Sequence, residues 1–190
     1  MQEPTIEPAG AYPGEPDGFE RLWTPHRMVY LEGGPGSDKP QDQDEGPQCP
    51  FCRVSSEPDD EAGLVVARGR AAFAVLNLYP YNPGHLMVCP YRHVADYTDL
   101  TDAEVDEVSA LTRTAMRVVR AVASPHGFNL GMNQGAVAGA GIAGHLHQHV
   151  VPRWGGDANF LPIIARTKAL PQLLSQTRNL IAAAWPAADA

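Results

Sequence analysis

Apolar positions are scattered over the first sixty residues and fall into a regular order from Gly63 onward. LVVA (64–67), AAFAVLNL (71–78) and HLMVCP (85–90) are short apolar, β-branched-rich runs that predict three strands. YPYNPG (79–84), between the last two, has the Pro, Asn and Gly content of a loop. Thr101 with Glu104 three residues on forms a capping box that opens a helix. Val105, Val108, Leu111, Ala115, Val118, Val119 and Val122 then recur at helical spacing, for about six turns, until Pro125 and Gly127 stop the helix. FNLGMN (128–133) predicts a fourth strand, a Gly/Ala loop fills 135–144, and HLHQHVVPR (145–153) predicts a fifth. KALPQLLSQTRNLIAAAW (168–185) predicts a second helix, with Pro171 tolerable only in its first turn. Strands in succession, a helix, then more strands indicate an α+β fold on an antiparallel sheet.

Composition adds organisation to this pattern. The 190 residues suit one domain with tails, and 44% apolar content is ordinary for a folded protein. Nine of the 18 prolines fall in residues 1–50, and GGPGSDKPQDQDEGPQ (33–48) is nearly free of apolar side chains. That composition cannot offset its ordering entropy by burial, so 33–48 is expected to be a flexible acidic loop. FERLWTPHRMVYL (19–31), rich in aromatic and long apolar residues, is expected to dock onto the domain or a partner subunit. The expected division is an N-terminal extension over 1–48 and a folded domain with a C-terminal helix over 49–190.

Charge and targeting signals exclude several classes. Residues 1–62 carry 14 acidic and 4 basic side chains, whereas 63–190 carry a balance of +2 within the overall −8. The repulsion that would slow a phosphate-rich ligand therefore sits mostly on the N-terminal third. With two lysines and no basic run, a nucleic-acid footprint is absent. No apolar run approaches the roughly 20 residues of a membrane-spanning helix. MQEPTIEPAG has neither the basic start nor the apolar stretch of a secretory signal, and three cysteines do not suggest a disulfide scaffold. A cytoplasmic setting is expected.

Three of the seven histidines stand at 145, 147 and 149. On a strand, alternate residues share a face, so His145, His147 and His149 line one side while Leu146, Gln148 and Val150 take the other. Such a row could be merely solvated. Strict alternation behind GAVAGAGIAG argues instead for chemistry, because a neutral imidazole is a good nucleophile toward phosphorus. The glycines let backbone amides approach phosphate oxygens.

GHLHQHVVP resembles the histidine-triad (HIT) signature, and the resemblance extends through NLYPYNPGHLMVCPYRH (77–93) and NQG (133–135), covering most of 49–153. It implies a five-stranded antiparallel sheet with a long helix, paired into a homodimer or a higher homo-oligomer. It also implies that His147 is the nucleophile forming a nucleotidyl-imidazole and that His149 contacts the α-phosphate. Asn77, eight residues before His85, matches a ribose-contacting Asn, and Gln134 matches a phosphate-contacting Gln. His85 matches a supporting histidine behind the triad. A second family Gln is replaced by Gly141, and Gln148 is polar where the signature is apolar. VPRWGGDANF (151–160) and LWTPHRMVYL (22–31) resemble the actinobacterial diadenosine tetraphosphate phosphorylases. Small residues near the phosphate would leave room for inorganic phosphate as second nucleophile, with Asn133 and Trp154 as candidates for shaping that site. The activity implied is cleavage of diadenosine tetraphosphate with phosphate to ATP and ADP, without an organic cofactor. A HIT-family dinucleoside polyphosphate hydrolase, a nucleoside phosphoramidase and a non-catalytic nucleotide-binding or sensing protein are the alternatives.

Cys49-Pro-Phe-Cys52 precedes the first expected strand. A redox pair would need a strand before the motif and a helix after it, and a polar linker precedes it here. A tetrahedral zinc site needs two further ligands. Resemblance to zinc-bearing members of the HIT superfamily suggests His93 and His145, giving a closed Cys49–Cys52–His93–His145 set around a structural ion. Cys89 reads as a small buried hydrophobe.

Overall fold

The computed structural model describes residues 6–7, 21–22, 48–157 and 172–186. The chain divides into two compact units, residues 1–40 and 41–190. In the first, two short strands pair antiparallel, Ile6 opposite Leu22 and Glu7 opposite Arg21. Apart from these strand residues and Gln48, the expected docking segment 19–31 and loop 33–48 lie outside the described residues.

The second unit is built on a five-stranded antiparallel sheet. Its strands are β1 (Val65–Arg68), β2 (Ala72–Leu76), β3 (Leu86–Pro90), β4 (Gly127–Gly131) and β5 (Gln148–Arg153), in the order β1-β2-β3-β5-β4. Helix α1 spans Pro50–Ser56, α2 spans Asp102–Ala123 and α3 spans Leu174–Ala184. No helix among the described residues is long and apolar enough to cross a membrane.

β2 and β3 read as continuous apolar runs because both sheet faces are covered. Ala72, Ala74, Leu76, Leu86, Val88 and Val150 form one cluster with Val108, Ala115, Val118 and Val119 of α2 and Ile181 of α3. Phe73, Val75, Met87 and Cys89 alternate to the opposite face and join Cys49 and Phe51. α2 begins as expected: the Thr101 hydroxyl accepts from the Glu104 amide while the Glu104 carboxylate accepts from the Thr101 amide. It ends at Ser124, whose left-handed φ of 46° breaks the helix one residue before Pro125.

Three expectations need correction. α1 was not foreseen, although Pro50 at its first position is a helix-start signal. The last strand begins at Gln148 rather than at His145. His145–His147 cannot join the sheet ladder because the Leu146 amide donates to the Val94 carbonyl and the His145 carbonyl accepts from the His147 ring. The C-terminal helix starts at Leu174, where Gln176 accepts from the Leu173 amide, and Leu173 itself is extended. Residues 168–171 of the expected helix lie outside the described residues.

One carboxylate of α2 organises the β1–β2 turn. Glu107 accepts from the amides of Arg70 (2.8 Å), Ala71 and Ala72 (2.7 Å). A Cβ on Gly69 would lie 2.5 Å from its Oε1, so only glycine fits beside it. Glu107→Ala leaves three backbone donors without their partner and is expected to lower the unfolding free energy by about 2–3 kcal/mol, measured by urea unfolding. A change below about 0.5 kcal/mol would show that water replaces the carboxylate without loss.

Candidate active site and metal cluster

The histidine row survives the loss of its first strand residues. His149 on β5 pairs with Met87 of β3 on one side and Gly131 of β4 on the other. The His147 ring stands 4.9 Å edge-on from the His149 ring, and Phe51 contacts both His147 (5.0 Å) and His145 (5.4 Å). All three histidines therefore share the Phe51 face of the sheet, while Leu146 and Val150 are buried toward other neighbours.

Hydrogen-bond partners fix the tautomer of each ring, and His147 differs from the other two. His147 Nδ1 is 2.8 Å from the His145 carbonyl, an acceptor, so Nδ1 carries the proton and Nε2 keeps its lone pair. His145 Nε2 is 2.9 Å from the Pro90 carbonyl, which leaves its lone pair on Nδ1. The Tyr81 amide donates to His85 Nδ1 at 3.1 Å, so His85 carries its proton on Nε2 and donates to His149 Nδ1 at 2.9 Å. His149 then presents Nε2–H. The row thus presents a lone pair toward the two cysteines, a lone pair on His147 Nε2 and an N–H on His149 Nε2 in succession.

Burial pushes all three imidazoles below the usual histidine value. His145 falls to about 4, with the neighbouring His93 and His147 adding to the effect. His149 also falls to about 4, through burial and then His147. His147 is lowered by burial, partly opposed by its bond to the His145 carbonyl. Each ring is neutral at pH 7, as a nucleophile and a metal ligand must be.

A cavity of about 380 Å³ opens beside His149, lined by Tyr81, Asn82, Asn129, Asn133 and Arg153 among others. That volume is within the range of small-ligand pockets. Its outer loop is held to β5, since the Asn82 amide donates to the Pro152 carbonyl and to Asp157, which also accepts from Arg153. Asn133 therefore stands with His149. Asn77 lies behind them: its Oδ1 accepts from the Tyr79 amide and its Nδ2 is 3.4 Å from His85 Nδ1. Gly141 is exposed in the loop leading to the histidines, with no atom within 4 Å of where a Cβ would stand.

Two candidates are not brought to the histidines. Gln134 accepts from the Tyr97 amide and lines a separate cavity of about 680 Å³ that includes Gln148 and Thr112 of α2. Trp154 follows the far end of β5, five residues or about 17 Å of strand from His149, and its indole donates to the Ala123 carbonyl at the end of α2. Conversely, the sequence reading missed Phe51 and Tyr81. Phe51 could have been found from its place inside the CPFC motif, whereas no local signal marks the Tyr81 amide.

Cys49, Cys52, His93 and His145 converge, their ligand atoms all within 4.8 Å of one another. Cys49 Sγ and Cys52 Sγ lie 3.4 and 3.5 Å from His145 Nδ1, and Cys52 Sγ lies 3.4 Å from His93 Nδ1. Sulfur and nitrogen ligands on a tetrahedral zinc would be separated by about 3.6 Å. The Pro90 carbonyl that orients His145 supplies the usual outer partner of a ligating imidazole. Burial and then Cys49 push the Cys52 thiol up to about 11, so a bound cation would be needed to ionise it at neutral pH. The residues fit a metal ion. Of the strand-helix context of a redox pair, the helix follows Cys49, and the described residue just before it, Gln48, is exposed and not in a strand.

Comparison with known proteins bears on the family and the fold. The HIT domain family matches residues 61–156. The AP-4-A phosphorylase of Mycobacterium tuberculosis is 55% identical over 172 residues, covering 90% of this chain and 87% of that protein. A zinc-bound histidine triad family protein from Mycobacterium smegmatis superposes with a TM-score of 0.56 at 25% identity, covering 71% of this chain and 91% of the other. A histidine triad nucleotide-binding protein from Sulfolobus tokodaii shares the fold, with a TM-score of 0.58 at 24% identity over 72% and 91% of the two chains.

Proposed function

Because the chain belongs to the HIT domain family, we propose that it is a diadenosine tetraphosphate phosphorylase acting through an adenylyl-His147 intermediate. The observation that carries this reading is the 55% identity, over nine-tenths of the chain, to the M. tuberculosis AP-4-A phosphorylase. His147 Nε2 attacks the α-phosphorus of one adenosine, the bond to the bridging oxygen breaks, and its electron pair leaves with ATP. The imidazolium so formed keeps its Nδ1–H on the His145 carbonyl, which stabilises the added positive charge. His149 Nε2–H donates to the phosphate oxygens as charge builds on them. Inorganic phosphate then attacks the same phosphorus, the N–P bond breaks back onto Nε2, and ADP departs.

The rest of the site is read in the same terms. Asn77 meets the ribose, Asn133 and His149 meet phosphate, and His85 is the support that orients His149. The open space at Gly141 supports entry of inorganic phosphate where a longer side chain would stand. Gln134 and Trp154 would reach substrate only through a rearrangement or a second subunit. The exposed edge strand β4, with Leu130 half exposed, supports a homodimer. Zinc suits the cluster of two thiolates and two imidazoles, where a closed set of four ligands leaves no position for substrate and makes the ion structural.

The test is product identity with labelled phosphate. Equal amounts of unlabelled ATP and labelled ADP are expected, with no turnover when phosphate is omitted. Unlabelled AMP plus ATP, formed equally well without phosphate, would instead assign a hydrolase.

A further inference from the structure

We propose that Phe51 is a positioning residue for the His147 ring, held in place by the two cysteines that flank it. The Nδ1 bond to the His145 carbonyl fixes one point of the imidazole but still permits rotation about that contact, because the second side-chain torsion of histidine is broad. The Phe51 ring lies 5.0 Å away at 40° on one side, and His149 stands edge-on at 4.9 Å on another. Between them the ring cannot turn without leaving contact. Phe51 is 5% exposed and set among Cys49, Phe73, Val75 and Met87, so it has little room to yield.

A wall of this kind works only if it is itself rigid, and α1 is tied at both ends. At its start Cys49 and Cys52 belong to the metal cluster, and the Arg53 amide bonds the Cys49 carbonyl at 3.0 Å. At its end the Arg68 guanidinium of β1 donates to the carbonyls of Ser55 (2.7 Å) and Glu57 (2.8 Å) while pairing with Asp60. The edge contact of Phe51 with His145, whose carbonyl holds His147, closes the circuit. A metal cluster with no open position thereby acquires a use in the reaction: it anchors the surface against which the nucleophile is aimed.

The activity arm of the test rests on the phosphorylase reading, so a second arm needs no substrate. In Phe51→Leu and Phe51→Ala, kcat for diadenosine tetraphosphate is expected to fall about 10-fold and about 100-fold, the scale of a misplaced reacting group, with KM within threefold and metal content unchanged. Nitrogen-15 spectra of the histidines should show His147 passing from one tautomer to a mixture. Unchanged kcat in Phe51→Ala with metal retained would overturn the proposal, as would loss of kcat only in step with loss of metal. If the wild type did not transfer adenylyl groups yet the His147 spectrum changed in Phe51→Leu, the enzymatic reading would fail and the positioning role would stand. An unchanged spectrum would overturn the positioning role whatever the activity.

Discussion

Replacing His147 with Ala is expected to lower phosphorolysis by at least about 10⁴-fold, and the adenylylated protein should disappear from mass spectra of quenched reactions. The expectation is this severe because neither neighbouring histidine can take over. His149 has its Nδ1 occupied by His85 and presents a proton on Nε2, so it has no lone pair to offer without breaking the His85 bond. His145 directs its lone pair at two sulfurs and its proton at the Pro90 carbonyl. A direct attack of phosphate on substrate would have to proceed with two anions approaching each other and no cationic intermediate. The variant also separates enzyme from binding module. A protein that senses nucleotides would keep its function in His147→Ala, whereas an enzyme would keep affinity and lose turnover. Retention of turnover within tenfold, or an adduct on another side chain, would remove His147 from the mechanism.

What could be read from the sequence depended on how local the determining forces are. α2 was legible to within a residue because its cap, its apolar stripe and its stop all lie within its own span, from Thr101 to Ser124. The strands were placed correctly but with ends displaced by up to three residues, since pairing partners decide where a ladder stops. HLHQHVVPR shows the limit: the alternation was right for the faces of the side chains, yet the strand itself starts at Gln148 because Val94 takes the Leu146 amide. The tautomers of His145 and His149 were out of reach. The carbonyl that orients His145 belongs to Pro90, and the donor that orients His149 starts at the Tyr81 amide. Both are more than fifty residues away and leave no pattern near the triad. Trp154 and Gln134 were assigned by likeness alone, and the monomer turns both toward α2 and its neighbours instead.

Chelating the metal from the wild type, or replacing Cys49 and Cys52 with Ser, is expected to remove about 4 kcal/mol of stability, the amount an ion conveys at a thousandfold its dissociation constant. For a chain of this size that corresponds to roughly 10 °C in the unfolding midpoint. The reason lies in what the ligands join. Cys49 is fully buried at the start of α1, His145 is fully buried before β5, and His93 follows β3, so one ion would staple α1 to two segments that the Leu146 amide and the Val94 carbonyl already join to each other. Without it, the neutral Cys52 thiol and two imidazoles remain close together with only weak sulfur hydrogen bonds between them. The measurement is calorimetry under reducing conditions beside metal analysis, with zinc added back to the chelated wild type. Recovery of the midpoint in the wild type but not in the double variant is the expected result. Equal midpoints with and without metal would mean that the four residues converge without an ion, and that α1 is held by Arg68 and the core around Phe51 alone.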